Sequence, residues 1–471
     1  MFTCEYEFKS KPIGEGAYGQ VSIVERRGKR YVLKKLISKK DEESMINNPV
    51  ELDILFRLNS PHLVKGYDIT VAGECDKKDM GIVTEYVEGD IFDNFKKFTF
   101  TQKKKIMYDI ACGLKCLHDN NYLHLDIKLE NALYHKEPNL RGVLIDYGFC
   151  TFCPQGVEVG TNLVNEVGSQ DYLSPKLLHK YDEDLTHFNN KDDIWSLGIM
   201  FYSLLSSPND VFFDLEETSG KNTKEDAKML YDYFKYYMSE SHIDTYIRKN
   251  ILKKKKDDNL VDLLKGMLSL DEEKRLSINQ VINHPFFKEY ENKSHCYPSA
   301  TEMVSLENIK DKYFEKVYNI VYTAKEFIPD RDPLIVFMAI DIYLRFIDKV
   351  TPEVLAQIEH PEVISLLIAS KYFSWGVLQE KFDDMILAAT KEENIIYKVI
   401  NGIIKCERYY SNCKYIEDVK FIHTAFIDKK YESFNPNLRQ YLNKDGKSFI
   451  EKYRPSGILH PIGKLTIADV F

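Results

Sequence analysis

His124-Leu125-Asp126-Ile127-Lys128-Leu129-Glu130-Asn131, followed a little downstream by Asp146-Tyr147-Gly148, is the stretch on which the reading of this chain turns. It sets an ammonium and an amide two and five residues after a carboxylate, then adds a second carboxylate beside a glycine. These groups suit an anionic, metal-bound ligand: oxygen donors hold a divalent cation, an ammonium neutralises anionic oxygens, and a carboxylate orients a hydroxyl. Around them, residues 123–146 read as loops and short apolar strands.

Working upstream, residues 5–13, 19–25 and 30–36 alternate like three antiparallel strands, with Arg27-Gly28 as a turn. Between the first two lies Gly14-Glu15-Gly16-Ala17-Tyr18-Gly19, whose glycines let the backbone drape over phosphates. A strand starting at Val21 follows it, whereas a dinucleotide-binding fingerprint needs a helix there. Lys34, on the third predicted strand, can reach phosphates. Asn48 and Pro49 signal a helix start, Val50, Ile54, Leu55 and Leu58 share one face, and Glu51 in the first turn can pair with Lys34. Downstream, residues 101–118 read as a long helix, and helical periodicity returns from Asp192 to His284-Pro285. The polar stretch 206–224, with Pro208 and Gly220, reads as a surface insertion.

In this order, the glycine loop, Lys34, HLDIKLEN and DYG resemble the eukaryotic protein kinase family, over roughly residues 8–287. The resemblance implies an α+β, bilobal protein kinase fold that uses ATP and Mg²⁺ and acts on protein substrates. It implies Asp126 and Lys128 as catalytic residues and Asn131 and Asp146 as Mg²⁺ ligands. Ile13, Gly14, Glu15, Gly16, Gly19, Val21, Lys34 and Glu51 would surround the nucleotide. Val83-Thr84-Glu85-Tyr86-Val87 looks like the hinge, with the backbones of Glu85 and Val87 facing adenine and Asp90 contacting ribose. In the family, a lysine at the place of Lys128 goes with serine/threonine specificity, and Ser169 stands where a hydroxyl bonds to it. Asp193 to Gly198 matches the buried helix that supports the catalytic loop.

Three positions depart from the family pattern. Leu125 replaces an arginine that in many members binds a phosphorylated residue, so activation is not expected to use that contact. Lys176 replaces a glutamate whose usual partner corresponds to Arg275, which sets two cations at a site built for an ion pair unless another acid compensates. Tyr147 replaces phenylalanine and adds only a hydroxyl. Such departures keep open the reading of a pseudokinase scaffold, although the phosphate-, metal- and proton-handling residues are all present.

The composition shifts at residues 289–301, where Glu, Asn, Lys, Ser and Pro concentrate. We divide the chain into a protein kinase domain at 1–290, a linker at 291–304, an all-α domain at 305–455 and a tail at 456–471. Asp332-Pro333, Thr351-Pro352 and His360-Pro361 mark helix starts, and Thr390 with Glu393 makes a capping-box pair. The runs from Ala339 to Phe346 and from Ile364 to Lys371, with Arg345 and Lys371, resemble two central helices of a cyclin box. That resemblance implies an intramolecular, cyclin-like activator tethered at high effective concentration. A separate partner-binding role for the helical domain is the alternative. The glycine loop also resembles that of cyclin-dependent kinases, in which the position of Tyr18 is phosphorylated.

Composition limits the remaining classes. The 471 residues are 44% hydrophobic and 29% charged with a net charge of −9, the balance of a folded protein with no general attraction to nucleic acid. The amino terminus lacks the basic start and apolar stretch of a signal peptide, so an intracellular location, cytoplasmic or nuclear and not secreted, is expected. The longest apolar run, residues 334–340, is far too short for a membrane span. Nine scattered cysteines argue against a disulfide framework, and Cys150 with Cys153 reads as a pair of reduced thiols.

Overall fold

The computed structural model describes residues 6–9, 12–16, 19–35, 49–70, 81–153, 159–161, 168–178, 186–206, 224–251, 257–290, 297–298, 333–358 and 360–373, with residues 316, 320, 395, 396 and 399. Tyr18, residues 207–223 of the expected insertion, the Thr390–Glu393 pair and the tail lie outside these residues.

An antiparallel sheet opens the chain. It runs β1 (Glu7–Phe8), β3 (Gly19–Arg26), β4 (Lys29–Lys35), β7 (Gly81–Glu85) and β6 (Gly66–Thr70), with β2 (Gly14–Gly16) paired to β3. Arg27 and Gly28 both take positive φ, 52° and 75°, the geometry that matches a two-residue hairpin turn to strand twist. Helix α1 (Pro49–Arg57) packs against β6 and leads into β5 (Leu58–Asn59); it buries Val50, Leu52, Ile54 and Leu55.

From Gly89 to Tyr290 the described residues are mainly helical. A small sheet orders β11 (Arg141–Leu144), β10 (Ala132–His135) and β8 (Gly89–Asp90), and Asp90 caps the short helix α2 (Ile91–Asn94). Helix α3 (Phe100–Asp119) starts at a reciprocal capping box between Thr99 and Gln102. Next come β9 (Tyr122–Leu123) and its partner β12 (Thr151–Phe152), the pair β13 (Val159–Thr161) with β14 (Thr186–Phe188), and α4 (Pro175–Leu178). Helix α5 (Asn190–Leu205) begins with a second capping box, Asn189 with Asp192, and is buried from Asp192 to Leu205. Among the described residues, α6 (Lys224–Tyr236), α7 (Glu240–Asn250), α8 (Asp258–Met267) and α9 (Ile278–Ile282) follow. Helix α5 packs against α3 and α8, which accounts for its burial on all sides.

Past Tyr290, the expected linker contributes a strand: β15 (Tyr297–Pro298) pairs antiparallel with β5, at the end of α1. The described residues beyond it form α10 (Pro333–Lys349), α11 (Pro352–Leu355) and α12 (Pro361–Phe373). Helices α10 and α12 pack on each other, and α12 also touches α1 and β12. Contact on both sides explains why α12 is buried from Pro361 through Ala369. Arg345 pairs within its own helix with Asp341, both buried, and Glu362 pairs with Lys316 at 2.7 Å. Among the described residues, no helix is long and apolar enough to cross a membrane. Cys112, Cys150 and Cys153 are buried free thiols. Cys116 is disulfide-bonded, which the scattered spacing of the cysteines does not announce.

Candidate active site

Lys34 is held in place by strand pairing. On β4 it lies opposite Val21 of β3 and Ile82 of β7, so its ammonium projects from the middle of the sheet. Its Nζ donates to Glu51 Oε1 at 2.8 Å and to Asp146 Oδ1 at 3.0 Å. Burial alone would lower its pKa, but the two carboxylates outweigh it and raise the value above that of a free lysine. Asp146 moves the other way: burial opposes ionisation, and Lys34 overcomes it, so the carboxylate lies below its usual range. The site therefore holds a charged ammonium and an ionised carboxylate at neutral pH.

The second half of the site is built around Asp126. Asn131 Nδ2 donates to the Asp126 carbonyl at 2.8 Å and to its Oδ2 at 2.7 Å. Lys128 Nζ lies 2.8 Å from the same Oδ2 and donates to Ser169 Oγ at 3.1 Å. Among the described residues, Asp126 Oδ1 is buried and has no hydrogen-bond partner. An unpartnered buried carboxylate oxygen is costly, and it is relieved when a hydroxyl donates to it.

Two links join the halves. The Ile145 N–H donates to the Asn131 carbonyl at 3.0 Å, and His124 Nε2 bonds to the Ile145 carbonyl at 3.2 Å. His124 Nδ1 accepts from the Asp126 N–H, so the proton is on Nε2. Beneath them Asp193, at the start of α5, accepts from His118 Nε2, from the His124 N–H and from the Leu125 N–H, at 2.8, 2.8 and 2.9 Å. Leu125 and Asp146 both adopt left-handed backbone, with φ of 62° and 60°. That conformation costs roughly 1–2 kcal/mol per non-glycine residue. The bond from the Leu125 N–H to Asp193 and the bond from Lys34 to Asp146 help offset it.

The nucleotide-facing expectations fall around this centre. Gly14, Glu15 and Gly16 pair antiparallel with Val21, Gln20 and Gly19, and the Ile13 N–H donates to the Val21 carbonyl. Glu85 closes β7 with its N–H given to the Lys65 carbonyl at 2.8 Å, so an adenine contact at that residue would use the carbonyl. Val87 is buried nearby. The side chain of Asp90 already accepts from the Asp93 N–H at 3.1 Å, which leaves less of it for a ribose than the sequence suggests.

The residues present fit a divalent cation. Asn131 spends its NH₂ on Asp126, so its carbonyl oxygen is what it can offer a metal, beside the ionised Asp146. Among the described residues no group of three or more His, Cys, Asp or Glu forms a metal cage. Magnesium suits such a site, since it takes one or two protein oxygens and completes its shell with phosphate and water.

Sequence reasoning missed several supports. His118 beneath the catalytic loop, the buried Asp53 on α1 that accepts from Tyr122, and Glu272, which meets Lys176, carry no motif. For Glu272 a signal existed: a cation at Lys176 called for an acid, and Asp271, Glu272 and Glu273 stand close before Arg275.

Lys34 thus bridges two carboxylates, Glu51 and Asp146, and the Ile145 N–H links this pair to the Asp126–Asn131 network. The protein kinase domain family matches residues 6–287, more than half of the chain, and the chain belongs to that family. Among curated proteins it is 27% identical over 323 residues to calcium-dependent protein kinase 5 of Plasmodium falciparum, covering 67% of this chain and 50% of that one. It is 29% identical over 305 residues to calcium-dependent protein kinase 6 of Plasmodium berghei, covering 64% and 18%. It is 25% identical over 320 residues to SNF1-related protein kinase catalytic subunit alpha KIN12 of Arabidopsis thaliana, covering 66% and 57%. The chain spans about half or less of the length of the first two.

Proposed function

We propose that this chain is a serine/threonine protein kinase that transfers the γ-phosphate of Mg-ATP to protein hydroxyls. The observation that carries this reading is the buried Asp126 Oδ1, unpartnered among the described residues and set in one network with Lys128, Asn131 and, through Ile145, Asp146. Bound Mg-ATP would supply the phosphoryl group and the cation that draws charge onto its oxygens. Asp126 accepts a hydrogen bond from the substrate hydroxyl and orients it. Lys128, fixed by Asp126 and Ser169, offers its ammonium to the oxygens that gain charge. Asn131 and Asp146 hold the metal, Lys34 holds the phosphates nearer the base, and Glu51 fixes Lys34. Ile13, Gly14, Glu15, Gly16, Gly19 and Val21 cover the nucleotide, while Glu85, Val87 and Asp90 receive its adenosine.

The helical part of the chain acts, in this reading, as a cyclin-like activator in cis. Packing of α12 against α1 supports it, because α1 carries Glu51 and its position decides whether Lys34 is paired. The division into a kinase domain at 1–290, a linker, a helical domain at 305–455 and a tail belongs to the same proposal.

The test is phosphorylation of a generic basic protein by the purified full chain with Mg-ATP, beside Asp126→Asn. Phosphoserine or phosphothreonine made by the parent and lost at least 100-fold in the variant is expected, the scale of removing a positioned acid–base group. ATP binding without phosphorylation by either protein would favour the scaffold reading. Removal of residues 301–471 then tests the cis activator: lost activity supports it, and retained activity makes the helical part an independent module.

A further inference from the structure

Tyr147 differs from the family's phenylalanine by one hydroxyl, and that hydroxyl is placed to hold the turn beside it. The side chain is fully buried and its ring meets the His124 ring edge-on, centroids 6.0 Å apart. The hydroxyl donates to the Leu144 carbonyl at 3.0 Å and lies 3.4 Å from the Val64 carbonyl. Those two acceptors sit at one junction: the Val64 N–H donates to Leu144, the Leu144 N–H donates to His62, and Leu63 bridges Leu144 in parallel. The next residue upstream, Asp146, has the left-handed backbone noted above, a conformation that persists only where its surroundings impose it.

We propose that the Tyr147 hydroxyl is a positioning group that pins the Asp146 turn to the Val64–Leu144 junction and so keeps the Asp146 carboxylate presented to a divalent cation. The second half of this statement rests on the reading of Asp146 as a metal ligand. A phenylalanine would keep the ring contact with His124 and lose the tie. Tyr147 therefore does not touch substrate; it acts through Asp146.

The test is Tyr147→Phe in the full chain, read in two ways. Amide hydrogen exchange without nucleotide is expected to rise about threefold or more across residues 144–150 and to stay unchanged in α5, on the scale of one net hydrogen bond. Calorimetric titration of Mg²⁺ into chain saturated with ATP is expected to show a midpoint about threefold to tenfold higher, with a melting temperature close to that of the parent. Exchange within twofold of the parent overturns the latch. A raised exchange with an unmoved Mg²⁺ midpoint overturns its link to the metal. If the parent itself binds no Mg-ATP, the kinase reading fails, while the exchange comparison needs no ligand and still decides the latch.

Discussion

Lys176 Nζ lies 3.4 Å from Glu272 Oε1, and Arg275, the cation expected to confront it, is turned elsewhere. Glu272 also accepts from Asn189 Nδ2, which ties the pair to the start of α5. Arg275 is buried, with its guanidinium 5.1 Å from the Trp195 ring centroid and donating to the Lys191 and Ser269 carbonyls at 2.9 and 3.1 Å. The two cations thus have separate partners. The departure at Lys176 is compensated within the fold, and it loses its weight as an argument for a degenerate enzyme.

Charge reversal tests this pairing. Both side chains are about 30% exposed, so the pair itself contributes only about 0.5–1 kcal/mol. Lys176→Glu sets two carboxylates together and should lower stability by about 1–2 kcal/mol. Glu272→Lys in the same chain should restore most of the loss. The double-mutant cycle, measured by urea unfolding, decides: additive losses would mean that the two residues do not interact.

Asp192 gives the fold a pH dependence. It is fully buried, and burial pushes its carboxyl up to about 6, against the opposing bonds from Ser174 Oγ and the Asn189 N–H. A carboxyl whose folded pKa exceeds its unfolded value favours folding while it is protonated, and that contribution is lost as pH rises through the window from about 4 to 6. Asp192→Asn keeps an oxygen for the cap and removes the titration. Its stability relative to the parent should therefore rise by about 2–3 kcal/mol between pH 4 and pH 7 and level off above. A flat difference would show that burial does not raise the Asp192 carboxyl above its unfolded value.

Glu51→Gln tests the coupling at Lys34. The amide can still accept from Lys34, but the ion pair is gone and Asp146 becomes the only carboxylate on that ammonium. Lys34 should then sit closer to Asp146 and less well toward phosphates. We expect kcat/KM to fall about 10- to 100-fold, on the scale of losing a positioning charge, with ATP affinity changed much less. A variant with parental kcat would remove Glu51 from the machinery.

Much of this arrangement was legible in the sequence for local reasons. Helix α1 starts at Pro49 and α3 spans Phe100–Asp119, as the capping residues and apolar spacing imply, and the Lys34–Glu51 pair follows from a strand lysine facing a first-turn acid. What stayed hidden depends on contacts distant in the chain. The partner of Lys176 lies 96 residues away, the acceptors of Tyr147 are backbone carbonyls with no side-chain signature, and the β5–β15 pair joins Leu58–Asn59 to Tyr297–Pro298. Asp90 shows the reverse: its type suits a ribose contact, but capping of α2 engages it first.

The contact of α12 with α1 yields the prediction that reaches furthest into regulation. Ile368 is fully buried in α12, a helix that lies between α10 and the α1–β12 region. Ile368→Ala would remove packing worth about 2–4 kcal/mol and leave a cavity that the helix can close only by shifting. Nothing in that change touches Lys34, Asp126 or Asp146. If α12 supports α1, Glu51 should hold Lys34 less often, and kcat should fall about fivefold or more while the melting transition of residues 1–290 persists. Added back in trans, a fragment of residues 301–471 should raise the activity of the truncated chain and the Ile368→Ala fragment should do so less well. An Ile368→Ala chain that phosphorylates at the parental rate would separate the helical part from catalysis and assign the α12–α1 contact to stability alone.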